Sequence, residues 1–327
     1  MNAPPYVVVP QYLHEPGLGM VRDVARVEYW PEESVMPREK LLAAVATADG
    51  ILCHPPARCN RELLDRAPRL RVISNVAVGY DNVDVPACTE RGIIVCNTPG
   101  VLTDATADAT LALMLAVCRR AIDNDRFTRS GNWHYWTPRL LLGQDLTEAT
   151  VGIVGMGRIG LEVARRVRAF RTRILYHNRH RRPEVEAELG AIYVDLPTLL
   201  AESDFVCLHV PANAETRHLI SAAELAQMKP TAYLINVARG AVVDQKALAE
   251  ALKAGRIAGA GLDVYDPEPI AADDPLLSLE NCVLFPHVAS ATLRCRQRMS
   301  ELAARNLLAA LAGETPPACV NPEVLKN

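Results

Sequence analysis

The sequence predicts an α/β protein with two parallel sheets in series, and three observations lead to this prediction. Short β-branched runs alternate with helix-length stretches along the chain, which is the pattern of parallel sheets covered by helices. The chain has 327 residues, too many for one ordinary domain. A second series of strands and helices begins near residue 150, after a loop rich in aromatic residues, Pro and Gly.

The first series supplies four strands and a long helix. Strands are predicted at Tyr6–Val9, Gly50–Cys53, 70–74 and 93–96. Residues 102–122 are rich in Ala and Leu and lack Gly and Pro, and Thr103 and Asp104 are possible N-caps. We therefore predict one long, largely buried helix over residues 102–122.

The second series begins with a strand at Thr150–Val154, a turn at 155–160 and an amphipathic helix at 161–170. Further strands are predicted at 174–176, 205–209, Tyr233–Asn236, Gly259–Leu262 and 282–285. Residues 291–313 are predicted to be helical and the tail after them to be irregular.

The composition is that of a globular protein without a strongly charged surface. About half of the residues are apolar, and the formal net charge is -3, so we expect neither a nucleic acid nor a membrane as partner. Nine Cys without a CxxC pair indicate reduced thiols. No metal-ligand spacing, export signal or membrane-spanning run is recognisable. We expect a cytoplasmic enzyme without a metal site.

The segment VGIVGMGRIG is a glycine-rich turn between a predicted strand and a predicted helix. Gly155 would make the tight turn, Gly157 would let a pyrophosphate approach the backbone, and Gly160 would let helix and strand pack closely. A lone motif of this kind is weak evidence, because glycine-rich turns are common. The flanking strand and amphipathic helix favour dinucleotide binding over a structural turn.

Six ordered blocks extend over nearly the whole chain. They are NVAVGYDNVDVPACTERGIIVCNTPGVLTDATADATLALML, TVGIVGMGRIG, DFVCLHVPANAETRHLI, INVARGAVVD, GAGLDVYDPEP and FPHVASAT. Together they resemble the D-isomer-specific 2-hydroxyacid dehydrogenases, and among them the glyoxylate/hydroxypyruvate reductase branch. The resemblance implies two Rossmann-like or flavodoxin-like lobes with the active site in a cleft between them. Residues 101–286 would bind NAD(P), and residues 1–100 with 287–327 would bind substrate.

Three residues match the catalytic Arg, Glu and His positions of this family: Arg239, Glu268 and His287. Arg239 would bind the carboxylate of a 2-oxo acid and polarise its carbonyl. His287 would be the general acid/base, and Glu268 would fix its tautomer and favour the protonated ring. The alternatives are a capping or salt-bridging Arg, a solvated turn acid and a strand-end His. All three residues stand at the ends of predicted strands, and this common placement favours the catalytic interpretation.

The resemblance also implies substrate contacts. The backbone amides of Val78 and Gly79 would bind the substrate carboxylate, although an ordinary strand-to-helix turn is the alternative and Ala77 stands where relatives often have Gly. Ser290 would contact substrate or cap the next helix. Trp136 would reach the partner's substrate pocket in a homodimer, or else pack within its own chain.

The cofactor is expected to be NADP(H), with NAD(H) as the alternative. Asn178 stands where NAD-specific relatives carry an acid for the ribose hydroxyls. Arg179, Arg181 and Arg182 surround His180 in the same turn, where they would bind a 2′-phosphate or form a solvated basic loop. The complete set of predicted cofactor contacts is Gly155, Gly157, Arg158, Ile159, Gly160, Asn178, Arg179, Arg181, Pro211, Val237 and Asp263.

The predicted reaction is the NADPH-preferring reduction of glyoxylate and hydroxypyruvate to D-2-hydroxy acids. Cys53 and His54 stand where a phosphoglycerate-oxidising relative would carry an Arg, which favours an unphosphorylated substrate. A 2-ketogluconate reductase is the alternative within the family, and formate dehydrogenases carry Gln in place of Glu268. A cofactor-sensing corepressor would keep the same triad, but no low-complexity tail or basic patch supports that function.

Overall fold

The computed structural model describes residues 3–326. Contacts between residues divide this chain into two compact units. The first unit comprises the residues up to Leu102 together with those from Ala291 onward, and the second is Thr103–Ser290. Each unit is built around its own parallel sheet.

Strands and helices alternate along almost the whole chain. The strands are β1 (Tyr6–Val9), β2 (Arg26–Tyr29), β3 (Gly50–Cys53), β4 (Val72–Asn75), β5 (Ile94–Cys96), β6 (Thr150–Val154), β7 (Arg173–His177), β8 (Ile192–Tyr193), β9 (Phe205–Leu208), β10 (Tyr233–Asn236), β11 (Gly259–Leu262) and β12 (Cys282–Leu284). The helices are α1 (Gly17–Arg22), α2 (Arg38–Val45), α3 (Arg61–Arg66), α4 (Val85–Glu90), α5 (Thr103–Cys118), α6 (Ala121–Arg129), α7 (Arg158–Arg168), α8 (Pro183–Leu189), α9 (Leu196–Glu202), α10 (Ala222–Leu225), α11 (Gln245–Lys253) and α12 (Leu293–Ala312). Short 3₁₀ segments are Gly240–Val242, Pro275–Ser278 and Pro322–Lys326.

The first unit has a five-stranded parallel sheet in the order β2-β1-β3-β4-β5. Strands β3 and β4 are buried along their whole length because helices cover the sheet, and the long helix α12 packs against both strands. In the register of this pair Cys53 lies opposite Asn75. The segments that follow β3 and β4 therefore leave the same edge of the sheet side by side.

The second unit has a seven-stranded parallel sheet in the order β12-β11-β10-β9-β6-β7-β8. Within this unit the chain first forms β6, then adds β7 and β8 on one side of it, and then forms β9 to β12 on the other side. The strand order therefore reverses between β6 and β9, and ligands of open α/β sheets bind at such a switch point, beyond the carboxyl ends of the strands. The predicted α/β fold with two parallel sheets is confirmed.

The helix predicted over residues 102–122 is wrong in one respect, because it is broken into α5 and α6. Arg120 adopts a left-handed backbone conformation with φ 51°. The carbonyl of Cys118 accepts a hydrogen bond from the Gln144 amide instead of continuing the helical ladder. A returning loop thus ends α5, and α6, which buries none of its residues, starts in a new direction. No helix within residues 3–326 combines the length and the apolar character that crossing a membrane requires.

Candidate active site

Three predicted catalytic residues lie beyond the carboxyl ends of three adjacent strands of the second unit. Arg239 follows β10, Glu268 follows β11 and His287 follows β12, and these strands are neighbours in the sheet. Parallel strands end at one edge, so residues far apart in sequence come together there. The structure brings these three side chains into one site.

His287 and Glu268 form the closest pair in the site. The Nδ1 atom of His287 lies 2.8 Å from Oε2 of Glu268, while the other carboxylate oxygen accepts the Tyr265 amide at 2.9 Å. Burial alone would raise the pKa of Glu268, but the hydrogen bonds from His287 and Tyr265 and the nearby Arg239 charge outweigh it and lower the pKa. An ionised Glu268 accepts a hydrogen bond from the Nδ1–H group of His287, which leaves Nε2 for proton exchange.

The turn that carries His287 is held by Asp263, the residue directly after β11. His287 has a left-handed backbone conformation with φ 56°, and its amide bonds to the Asp263 carbonyl at 2.9 Å. The two carboxylate oxygens of Asp263 accept the amides of Val288 and Ala289 at 2.7 and 2.9 Å. Asp263 is fully buried, and burial raises its pKa although these amides oppose the shift. Sequence reasoning assigned Asp263 only to the cofactor and missed this support of the His287 turn.

Arg239 is placed by a close approach of two backbone segments. It precedes the 3₁₀ turn at Gly240–Val242, and its carbonyl accepts the side-chain amide of Asn236 at 2.9 Å. A Cβ on Gly240 would lie 1.9 Å from the carbonyl carbon of Tyr265. Only glycine therefore lets this turn pack against the segment that leads to Glu268.

In the first unit, the loop after β4 contains the two backbone amides that are predicted to bind substrate. The carbonyls of Val78 and Gly79 accept hydrogen bonds from the side-chain amides of Asn97 and Asn75, both at 2.8 Å. The amide groups of Val78 and Gly79 donate to no acceptor within residues 3–326. The two carbonyls are held in place, and two neighbouring backbone amides of this kind can bind a carboxylate. The two Asn residues were missed by sequence reasoning.

The glycine-rich loop after β6 fits a dinucleotide pyrophosphate. Gly155 has φ 99°, and a Cβ there would lie 2.7 Å from the His209 carbonyl carbon. A Cβ on Gly160 would meet the Gly155 oxygen at 2.3 Å, whereas one on Gly157 would enter open space. Gly157 caps α7 without a side-chain hydrogen bond, so the first-turn amides face that space. The open space at Gly157 is what a pyrophosphate needs, and Arg158 and Ile159 begin the helix beside it.

The arginines in the turn after β7 differ in their contacts and in their exposure. Asn178 accepts the Met156 amide of the glycine-rich loop at 2.6 Å, and Arg182 donates to the Met156 carbonyl at 2.8 Å. Arg181 instead makes two hydrogen bonds to Glu186, which lower the pKa of Glu186 to about 2. Arg179 is 78% exposed, and its one ion pair within residues 3–326 is a 3.3 Å contact with Glu215. Arg179 is therefore more available to a ligand than Arg181.

The remaining predicted residues differ in their surroundings. Pro211 is exposed after β9, and Val237 is 8% exposed within the core beside β10. Ser290 is half-buried and does not cap α12, because Thr292 accepts the Cys295 amide in that role. Trp136 is 75% exposed, so it does not pack into the core of its own chain.

Comparison with known proteins identifies the class of this site. The family described as D-isomer specific 2-hydroxyacid dehydrogenase, NAD binding domain, matches residues 111–289. That range contains the glycine-rich loop and all three catalytic candidates. The protein is therefore an oxidoreductase that uses a nicotinamide cofactor.

Relatives are similar over the full length of the chain. A glyoxylate reductase of Thermococcus kodakarensis is 53% identical over 98% of each chain. A crystal structure of a Thermus thermophilus protein has a TM-score of 0.91 at 46% identity, covering 96% of this chain and 99% of that one. An NADPH-dependent glyoxylate/hydroxypyruvate reductase of Sinorhizobium meliloti, in complex with NADP and malonate, has a TM-score of 0.86 at 34% identity, covering 97% of both. The chain belongs to the D-isomer-specific 2-hydroxyacid dehydrogenase family, as the ordered sequence blocks predict.

Proposed function

We propose that this protein reduces small 2-oxo acids, glyoxylate and hydroxypyruvate, to D-2-hydroxy acids and prefers NADPH. The observation that carries the proposal is the hydrogen-bonded His287–Glu268 pair, with Arg239 near enough to lower the pKa of Glu268. The substrates are supported by relatives named glyoxylate reductase and glyoxylate/hydroxypyruvate reductase. The second unit binds the cofactor and the first unit contributes the substrate amides.

Each side chain has a role that its chemistry supports. The guanidinium of Arg239 binds the substrate carboxylate and polarises the adjacent carbonyl. Nε2 of His287 gives a proton to the carbonyl oxygen, and Glu268 stabilises the protonated ring and keeps Nδ1 as a donor. The amides of Val78 and Gly79 bind the carboxylate from the first unit. The glycine-rich loop and the start of α7 would hold the nicotinamide cofactor, which would supply the hydride when bound.

The preference for NADPH rests on the turn after β7. Asn178 is neutral, so this position lacks the negative charge with which an acid would repel a 2′-phosphate. Arg179 is exposed, and its contact with exposed Glu215 is of the kind that contributes little to stability, so it is available to a phosphate. Arg182 stays beside the loop backbone through Met156. The structurally similar Sinorhizobium meliloti enzyme is NADPH-dependent, which supports the same preference here.

A turnover assay with purified protein tests the proposal. Glyoxylate and hydroxypyruvate are each supplied with NADPH or NADH, and cofactor oxidation is followed by absorbance. We expect D-glycerate from hydroxypyruvate and a higher kcat/KM with NADPH. No turnover of either acid at micromolar protein, with NADPH still bound, would contradict the enzymatic proposal and favour a cofactor-sensing protein.

A further inference from the structure

The first unit contains a histidine that no part of the proposed mechanism uses. His54 directly follows β3, and its ring Nδ1 atom is buried without a hydrogen-bond partner within the described residues. A buried polar atom without a partner is unfavourable, and native proteins seldom keep one without a reason. A ligand group that hydrogen-bonds to this nitrogen would remove the penalty.

The charges of two further side chains, Arg296 and His14, act on the His54 ring. Burial, followed by the charges of Arg296 and His14, lowers the pKa of His54 to about 4, so its ring is neutral near neutral pH. The hydroxyl of Ser300 on α12 donates to the His14 carbonyl, which fixes the His14 segment against the helix that carries Arg296. His54, His14 and Arg296 come from three separate segments and form one electrostatic cluster.

Arg296 is in an unfavourable position unless an acceptor lies near it. It is half-buried in the first turns of α12, and it forms no ion pair with a carboxylate within residues 3–326. The first turn of α12 has no acidic residue, although the positive end of a helix dipole disfavours cations. An oxygen-bearing ligand would compensate this charge.

The cluster lies at the sheet edge that carries the two substrate amides. The Val76 amide donates to the Cys53 carbonyl at 2.7 Å, so the segment of His54 runs beside the loop of Val78 and Gly79. A substrate whose carboxylate is bound by those amides would place its remaining carbons within this neighbourhood of the first unit.

We infer that His54 and Arg296 form a subsite for the substituent on the third carbon of the 2-oxo acid, and that this substituent is a hydroxyl group. The inference rests on the proposed function and deepens it. A hydroxyl can accept from the Arg296 guanidinium and either donate to or accept from the imidazole, so it suits both tautomers. A methyl group satisfies neither side chain. Hydroxypyruvate therefore fits the subsite better than pyruvate does, and glyoxylate has no third carbon to place there.

The test compares hydroxypyruvate with pyruvate in the wild type, His54→Leu and Arg296→Gln. We expect the ratio of kcat/KM for hydroxypyruvate over pyruvate to fall about tenfold in each variant, as expected when a site loses a specific hydrogen bond, and mainly through KM. Arg298→Gln, an exposed arginine on the same helix, is the matched control and should change the ratio less than twofold. Arg296→Gln keeps the test decisive if His54→Leu fails to fold.

Calorimetric binding of the products keeps this inference separate from the proposed activity. D-glycerate carries the hydroxyl and D-lactate lacks it, so their affinity ratio in the presence of NADP needs no turnover. A tenfold preference for D-glycerate that falls in Arg296→Gln would support the subsite even if the wild type reduced neither oxo acid. Equal ratios in the wild type and in the folded variants would overturn the subsite, while glyoxylate reduction would leave the proposed function standing.

Discussion

In the proposed mechanism, the ionised state of Glu268 governs the proton chemistry at His287. Glu268 is partly buried, which by itself would favour a neutral acid, yet its hydrogen bonds and Arg239 lower its pKa. A folded-state pKa below the ordinary value means that the carboxylate persists through neutral pH and is lost only in acid. His287 therefore faces a negative charge whenever it must carry a proton.

This charge leads to a prediction for two variants. His287→Ala should lower kcat by about 10²-fold or more, the usual contribution of a general acid/base, and leave NADPH affinity nearly unchanged. In Glu268→Gln the His287 ring loses the negative charge that stabilises its protonated form. The rate of reduction should therefore be lower, and it should decline at a lower pH than in the wild type. Steady-state kinetics between pH 5 and 9 and fluorescence titration with NADPH measure both effects. Wild-type turnover by His287→Ala would remove this residue from the mechanism.

Sequence alone predicts the three catalytic candidates because each stands within a recognisable block. The sequence predicts less about the contacts that hold these residues in place. Asp263 supports the His287 turn through two amides that are 25 and 26 residues away in sequence, and no local pattern indicates such a contact. Arg181 and Arg182 stand in the same basic turn of the sequence, which does not show that Glu186 binds Arg181. Nor does it show that Arg182 contacts Glu184 and the Met156 carbonyl.

At the scale of elements, the strand ends explain why the site lies where it does. Most strands are predictable to within two residues, because each is a short buried run between polar turns. The short edge strands β2 and β8 are missed because they are less buried. The break between α5 and α6 is missed because the Gln144 amide that ends α5 comes from a loop 26 residues later.

The start of α7 permits a prediction that separates folding from cofactor binding. Gly157 has open space where a Cβ would stand and an extended backbone, so Gly157→Ser should fold normally and even cap the helix. The new side chain occupies the pyrophosphate position, and KM for NADPH should rise by about tenfold or more, the loss of at least one charge-assisted hydrogen bond.

Gly155→Ala is the contrasting variant, because its φ of 99° and the His209 backbone at 2.7 Å disfavour any Cβ. It should lose about 1–3 kcal/mol in free energy of unfolding, the usual cost of such strain. Thermal unfolding and NADPH titration distinguish the two variants. An unchanged NADPH affinity in Gly157→Ser would contradict the pyrophosphate assignment.

The proposed preference for NADPH depends on the turn after β7 and can be tested by substitution there. Asp at position 178 can still accept the Met156 amide as Asn178 does, so Asn178→Asp combined with Arg179→Ala should fold. The added charge repels a 2′-phosphate and the lost arginine removes a contact worth about 1.5–3 kcal/mol. A free-energy loss of this size corresponds to a fall of roughly tenfold to a hundredfold in the ratio of kcat/KM for NADPH over NADH.

Arg181→Ala is the matched control for this switch, because Arg181 is engaged with Glu186 and should affect cofactor choice far less than Arg179→Ala. Equal kcat/KM values for NADPH and NADH in the unmutated protein would refute the proposed preference.

At the scale of the whole molecule, one segment of the second unit is poorly covered by its own chain. Helix α6 buries none of its residues, and the loop after it exposes Trp133, Tyr135 and Trp136 at 54%, 75% and 75%. Contiguous exposed aromatic side chains mark interaction surfaces. Self-association through this segment would bury them, and the exposure of Trp136 argues against the alternative of an internal packing residue.

This exposed surface predicts that the protein is a homodimer in which Trp136 influences substrate choice in the partner. Light scattering at assay concentration should give twice the chain mass of 35.7 kDa. Trp136→Ala should change the ratio of kcat/KM for glyoxylate over hydroxypyruvate more than it changes KM for NADPH, because the predicted dimer places Trp136 at the partner's substrate pocket. Leu142→Ala, also exposed in the same region, is the control for a general effect of removing apolar surface. A monomer at assay concentration would contradict the prediction, since Trp136, which is 75% exposed, would then contact no partner. A Trp136→Ala variant with unchanged substrate preference would contradict the proposed role of this residue in the partner's substrate pocket.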